Sequence, residues 1–119
     1  MIKIKRVYYE PNKSDGTRIL VDRLWPRGLT KEAAKLDAWM KDIAPSNELR
    51  TWFHANREEW PEFRKRYRKE LSDLGDSVDS LINQAKTHTL TLVFSGKDGV
   101  HNNAVVLAEY LRGILAREK

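Results

Sequence analysis

The 119-residue sequence contains no cysteine. This absence excludes disulfide bonds, thiolate nucleophiles and the zinc and iron–sulfur sites that are built on cysteine. Three histidines are present, and none of them lies four residues from another, the spacing that would place two metal ligands on one helical face. We therefore expect no metal site and no cofactor.

The sequence also lacks long apolar runs, repeats and flexible linkers. No apolar stretch approaches the roughly 20 residues of a transmembrane helix, and the first residues are too highly charged for a signal peptide. The six glycines and four prolines are scattered singly along the chain. We expect a single α/β domain over residues 1–119 that is cytoplasmic and does not enter a membrane.

Positive charge is abundant but unevenly distributed. The chain has 22 lysines and arginines against 17 aspartates and glutamates, a formal net charge of +5. The whole excess lies in residues 1–35, which hold nine basic and four acidic side chains. A segregated excess of this kind indicates a surface that faces an anion.

Hydrophobic patterning predicts several short strands. Alternation of apolar and charged residues over 2–9 is typical of a strand, and 18–25 and 36–43 are predicted to be extended. Residues 89–95 (TLTLVFS) are almost uncharged and apolar at consecutive positions, as in a strand covered on both faces.

Helices are predicted between these strands and after the last one. Thr30 and Ser46 are expected to be N-caps, and apolar residues at spacings of three and four predict a helix that ends at Gly75. Asp76 is expected to cap the next helix, and a last helix should begin near His101. This order predicts a three-layer α/β fold with a small parallel or mixed sheet of three or four strands.

Three segments should reach the carboxyl ends of the strands, where ligands bind in such folds. In the first, Arg23 and Arg27 flank a rigid Trp-Pro turn and could present two guanidinium groups to a phosphate or carboxylate. The alternative is that Asp22 and these arginines form ion pairs that only hold a loop over the core.

The other two segments are strand-to-helix junctions. Ser46 begins a helix whose free N–H groups suit an anion, although a serine at this position is most often only a cap. The second junction runs from Ser95 to Asn103 and offers two glycines, Lys97 and the start of the last helix. We predict ligand contacts from Ser95, Lys97, Asn102 and Asn103.

His101 is the best acid–base candidate among the histidines, with Asp22 as its partner. His54 and His88 are expected on solvated surfaces. A histidine at a helix start can instead cap the helix or pack against a neighbour.

The basic run at residues 64–69 (RKRYRK) invites a nucleic-acid interpretation. Nearby glutamates balance it, and Glu62 and Arg66 have the spacing of an ion pair within a helix. A solvated, salt-bridged helix face explains the run more simply.

The strings VDRLWPRG (21–28), LDAWMKDIAPSNELRTWF (36–53) and HNNAVVLAEYL (101–111) resemble the YeaO-like family of small bacterial proteins. The resemblance covers nearly the whole chain, and it implies no function because the family has none assigned. A similar branch carries Cys-His-Arg where this chain has Val100-His101-Asn102. This chain has no cysteine, so the thiol chemistry of that branch cannot be transferred to it. His101 is the one residue of the three that matches.

Three hypotheses follow. The first is a binding protein or enzyme for a phosphorylated or nucleotide-like anion, and it requires Arg27 and His101 to share one pocket. The second is a nucleic-acid-binding module, favoured by the pI of about 9.6. The third is a protein-interaction domain without catalysis, favoured if no pocket is present and an apolar patch is exposed.

Overall fold

The computed structural model describes residues 1–118. These residues form four parallel strands and five α-helices, joined by loops. Two short 3-10 helices lie at Lys13–Asp15 and Lys41–Ile43. The strands are β1 (Ile2–Arg6), β2 (Thr17–Leu20), β3 (Ala38–Trp39) and β4 (Leu90–Phe94). The helices are α1 (Lys31–Ala34), α2 (Asn47–Ala55), α3 (Trp60–Ser72), α4 (Gly75–Thr87) and α5 (Asn103–Arg117).

The sheet has the order β1-β4-β2-β3, and every pair is parallel. All five residues of β4 are buried, which explains the uninterrupted apolar run in this strand. Leu90, Leu92 and Phe94 face the larger core, whereas Val93 faces a smaller one. The predicted three-layer α/β fold is confirmed.

The larger core is formed with helices α2 to α5, and the smaller one with α1 and the residues around it. Phe63, Tyr67 and Leu71 are buried on one side of α3, at the spacing of a single helix face. The Tyr67 hydroxyl donates to the Ile43 carbonyl oxygen at 2.6 Å. Complete burial, followed by the nearby Asp22 carboxylate, raises the pKa of Tyr67 well above its usual range.

The strand predictions were too long at their carboxyl ends. β1 was predicted to run over 2–9 but ends at Arg6. Its partner β4 ends at Phe94, whose carbonyl oxygen accepts the last hydrogen bond between the two segments, from the Val7 N–H. Residues 18–25 were predicted to be extended, yet β2 ends at Leu20.

The prediction of a strand over 36–43 was mostly wrong. β3 has only two residues, which pair with Ile19 and Leu20 of the short β2. The Met40 N–H makes the final bond to β2, and the chain then turns into a 3-10 helix.

Two helix boundaries were also predicted incorrectly. Gly75 begins α4 rather than ending α3, and Asp76 lies in the first turn of α4 instead of capping it. α5 begins at Asn103, with Asn102 as its N-cap, rather than at His101. The predicted N-caps Thr30 and Ser46 are confirmed by hydrogen bonds from the N–H groups three residues later.

A buried ionic cluster joins Asp15, which precedes β2, to Arg18 of β2 and Lys5 of β1. The Asp15 carboxylate lies 2.7 Å from an Arg18 guanidinium nitrogen and 3.1 Å from the Lys5 ammonium. Arg18 also donates to the carbonyl oxygens of Ala34 and Lys35. Each of its three guanidinium nitrogens thereby has a hydrogen-bond partner, as burial of this charge requires.

Gly16 is required by the backbone at the start of β2. Its φ is +64°, and a Cβ atom at this position would clash with the carbonyl oxygen of Thr89. Gly16→Ala should therefore lower the free energy of unfolding by more than about 1 kcal/mol in chemical denaturation. Gly99→Ala is the control, because a Cβ there meets open space. Equal stabilities of the two variants would contradict this account.

Within residues 1–118, no helix is both long and apolar enough to cross a bilayer.

Candidate functional site

A cleft of about 530 Å³ lies at the carboxyl edge of the sheet. Its walls come from the segments that follow β1, β2 and β4, together with parts of α2, α3 and the start of α5. Because the strands are parallel, their carboxyl ends meet at this edge, as in other α/β ligand sites. The volume is in the range of small-molecule sites, about 300–1,000 Å³.

Eight of the nine predicted site residues line this cleft, and Arg27 and His101 share it as the first hypothesis requires. The eight are Asp22, Arg23, Arg27, Ser95, Lys97, His101, Asn102 and Asn103. Their proximity is a structural fact, whereas their roles in binding or catalysis stay predictions.

Ser46 is the predicted residue that does not line the cleft. Its N–H and hydroxyl donate to the two carboxylate oxygens of Glu70 at 2.8 and 2.7 Å. A carboxylate from α3 thus occupies the position at this helix start that was predicted to hold an anionic ligand. The serine acts as the N-cap of α2 and joins that helix to α3.

Asp22 connects the segments that form the cleft. One carboxylate oxygen accepts hydrogen bonds from the Ser95 N–H and hydroxyl, both at 2.8 Å. The other oxygen accepts from the Asn103 amide at 3.1 Å. These bonds join the ends of β2 and β4 to the first residue of α5, so Asp22 positions the walls of the cleft.

Arg23 and Arg27 differ in how they are held. Arg23 donates to the carbonyl oxygens of Ala44 and Pro45, which orients its guanidinium without neutralising it. The Arg27 side chain is exposed and has no hydrogen-bond or ion-pair partner within residues 1–118. The Tyr8 hydroxyl donates to the Arg27 carbonyl at 2.8 Å and fixes the backbone of the turn.

Sequence analysis missed six further polar or charged residues of the cleft: Arg6, Tyr8, Arg50, His54, Arg57 and Asp98. Arg6 ends β1, and in a parallel sheet that places it beside the ends of β2 and β4. The predicted strand over 2–9 extended past Arg6 and so did not place it at the edge. Arg50 and Arg57 belong to α2 and its following turn, and no local pattern marked them.

The lining is strongly cationic. Six lysine and arginine side chains face two carboxylates, Asp22 and Asp98. The six cations are Arg6, Arg23, Arg27, Arg50, Arg57 and Lys97. In the described part of the chain, the sole ion pair among these groups joins Arg57 and Asp98 at 3.8 Å. Such a field attracts anions.

Asp98 shapes the loop between β4 and α5. Its carboxylate accepts hydrogen bonds from the N–H groups of His101 and Val100, both at 2.9 Å. These bonds hold the pKa of Asp98 below its usual value. The Asn102 amide donates to the Asp98 carbonyl and its oxygen caps α5. The loop is thereby tied to the helix it precedes.

His101 stacks on the indole of Trp60. The ring centroids are 4.6 Å apart, and the planes differ by 20°. The imidazole is exposed, and neither of its nitrogens has a hydrogen-bond partner in the residues that the structure describes. Phe63 and Phe53 pack against Trp60 and continue the aromatic cluster, with 4.2 Å between the centroids of the two phenyl rings.

No group of three or more histidines and carboxylates that could hold a metal ion is found within residues 1–118.

The basic run on α3 lies outside the cleft and is largely paired. Arg66 contacts Glu62 at 2.8 Å, which confirms the predicted ion pair, and Arg64 contacts Glu109 at 2.6 Å. The Arg68 guanidinium lies over the Tyr110 ring.

Comparison with known proteins relates the chain to bacterial relatives of unassigned function. It is 46% identical to the uncharacterised protein YeaO of Escherichia coli over 95% of this chain and 98% of that protein. Uncharacterised proteins of Mycobacterium tuberculosis and Mycobacterium bovis are 38% identical over 94% of each chain. No solved structure matches.

The family model that matches is described as "Inactive DUF488-N3 subclade", and the match covers residues 1–119. The resemblance to the YeaO-like family expected from the sequence is confirmed. The chain therefore belongs to this YeaO-like family, the inactive DUF488-N3 subclade.

Proposed function

We propose that the protein binds a phosphorylated small molecule in the cleft at the carboxyl edge of the sheet. The observation that carries the proposal is the convergence of six lysine and arginine side chains around a space lined by two carboxylates. Keeping this many like charges together costs free energy. An anionic ligand would offset that cost.

The types of cation favour phosphate. Five of the six are arginines, whose planar guanidinium groups donate two parallel hydrogen bonds to phosphate oxygens. Arg27 is free to do so, and Arg23 is held in place by backbone carbonyls. The amino end of the 15-residue helix α5 also borders the cleft, and its dipole adds to the attraction.

A binding role is better supported than a catalytic one. The matching family model is described as inactive, and the chain has no cysteine to serve as a nucleophile. The Asp22 carboxylate accepts three hydrogen bonds from Ser95 and Asn103, and within residues 1–118 none joins it to His101. Acid–base catalysis by His101 and Asp22 therefore has less support than ligand binding.

Isothermal titration calorimetry with inorganic phosphate, pyrophosphate and nucleoside monophosphates tests the proposal. We expect saturable binding of at least one of these compounds at low salt, and weaker binding at high salt because exposed charges are screened. If none of them binds at low salt, the proposal is wrong.

Nucleic-acid binding is the second candidate, because cationic grooves with aromatic side chains also bind single strands. A single-stranded oligonucleotide would then bind with a steep salt dependence, while mononucleotides would not bind. The third hypothesis, a protein-interaction domain, is favoured if no pocket is present and an apolar patch is exposed, so the cleft weighs against it.

Removing the charge of Asp98 should strengthen anion binding. Asp98→Asn keeps an oxygen that can accept from Val100 and His101, but it releases Arg57 from its ion pair. We expect affinity for the bound phosphate compound to rise about two- to fivefold in calorimetry, the range for an exposed pair. Asp79→Asn, on the exposed surface of α4, is the matched control and should change nothing. Equal effects of both variants would argue against a local electrostatic role.

A further inference from the structure

We propose that His101 is a stacking surface for a planar heteroaromatic ring, so that the ligand joins such a ring to a phosphate, as a nucleoside monophosphate does. This inference rests on the proposed function. It replaces an acid–base role for His101 with a role in selecting the ligand, and it extends the proposal from phosphates in general to one class of phosphate ester.

The His101 ring stacks on Trp60 through one face, and the residue is exposed. Trp60 stacks on the imidazole at 4.6 Å, and Trp60 is outside the lining of the cleft whereas His101 is part of it. Trp60 therefore covers one face of the imidazole, and the opposite face is the surface that we assign to the ligand. The exposed remainder of the imidazole borders the space in which the ligand would lie.

The ring is held in a fixed position before any ligand binds. Its backbone N–H donates to Asp98, and the next residue, Asn102, caps α5 and donates to the Asp98 carbonyl. Trp60 in turn stacks against Phe63, which is buried in the larger core. A surface that is already ordered loses little conformational entropy when a ring stacks on it.

The hydrogen-bonding of His101 fits stacking better than proton transfer. A catalytic imidazole is usually oriented by a partner on its second nitrogen. Within residues 1–118, neither nitrogen of His101 has such a partner. The imidazole is oriented by stacking on the Trp60 indole. A planar ring of the ligand would add a third member to this stack.

Aromatic and cationic side chains are combined in this one cleft. Phe53 and Phe63 line it together with His101, and the Arg57 guanidinium lies 5.1 Å from the Phe53 ring centre. Lys97 lies in the same loop as His101. Phosphate oxygens would be bound by the arginines and Lys97, and the apolar faces of a ring by the aromatic side chains. Inorganic phosphate would use the first set of contacts alone.

The experiment compares AMP, GMP, CMP and UMP with ribose 5-phosphate by calorimetry under identical salt and pH. In the wild-type protein, at least one nucleotide should bind about tenfold more tightly than ribose 5-phosphate, the expected gain from one stacked base. His101→Ala should reduce the affinity for that nucleotide to the level of ribose 5-phosphate while leaving ribose 5-phosphate unaffected. His101→Phe should retain the preference, because it keeps an aromatic face and loses the nitrogens.

Two failures can be told apart. If ribose 5-phosphate binds and no nucleotide binds more tightly, or if His101→Ala keeps the preference, the stacking inference is wrong and the proposed function stands. If none of the four nucleotides binds, the stacking inference is wrong, and the proposed function fails with it only if inorganic phosphate, pyrophosphate and ribose 5-phosphate also do not bind. Loss of the preference in His101→Phe would show that the imidazole acts through its nitrogens and would also overturn the inference. Thermal unfolding of each variant checks that the fold is intact.

Discussion

Arg18→Ala should lower the free energy of unfolding by about 3–5 kcal/mol, the range for breaking a buried ion pair by removing one partner. The guanidinium is almost completely buried, with 4% of its side chain exposed. Its removal leaves Asp15 with Lys5 as its one remaining ionic partner and deprives the carbonyl oxygens of Ala34 and Lys35 of their donors. Chemical denaturation of the variant and the wild type measures the difference.

Arg64→Ala is the matched control. It removes the same type of side chain from an ion pair with Glu109 that is 40% exposed on both sides, and exposed pairs contribute about 1 kcal/mol or less. If the two variants lose equal stability, the buried cluster is not the structural element described above.

The same cluster predicts sensitivity to acid. Burial alone would raise the pKa of Asp15, but hydrogen bonds from the Asn12 backbone, Lys5 and Arg18 outweigh it and lower the pKa below its usual value. A lowered pKa gives stability that is fully present above the ordinary carboxyl pKa, about 3.9, and is lost as the pH falls through the folded-state value. Asp15→Asn should therefore lose less stability than the wild type between about pH 5 and pH 2.

Arg27→Glu should weaken binding of phosphorylated ligands by about 10- to 100-fold, the equivalent of one or two charge-assisted hydrogen bonds. The side chain is exposed and unpaired within residues 1–118, so its replacement should leave folding intact. The bond from Tyr8 ends on the Arg27 carbonyl and is kept in the variant. Calorimetry measures the loss.

Lys65→Glu provides the control for net charge. It makes the same change in total charge on the exposed face of α3, outside the cleft. Our account predicts little effect on phosphate binding. If Lys65→Glu weakens binding as much as Arg27→Glu does, the anion is bound by the overall field or by α3 and not by the cleft.

The fold class followed from features that are local in sequence. The apolar run at 89–95 identified the central strand to within one residue at each end, and spacings of three and four identified the buried face of α3. The lengths of β1 and β3 depend on where their partners end, which is a property of the sheet. The predicted strand over 36–43 failed for that reason, because β2 ends at Leu20.

The cleft residues that could be predicted from the sequence are polar or charged residues near the end of a predicted strand. Asp22 and Arg23 lie in the second half of a segment predicted to be extended, Arg27 follows that segment, and Lys97 follows another predicted strand. A parallel sheet brings these residues together. Arg50 and Arg57 come from α2, whose packing against the sheet no local pattern reveals. The buried pairing of Asp15 with Arg18 was likewise hidden, because three-residue spacing between opposite charges is common on exposed surfaces.

The most direct test of the central claim is to follow backbone amide resonances by NMR while the protein is titrated with a nucleoside monophosphate. Our account predicts saturable shifts concentrated in residues 22–27 and 95–103, the two segments that supply most of the cleft. Shifts concentrated in residues 64–68 of α3, or the absence of any saturable shift, would contradict it.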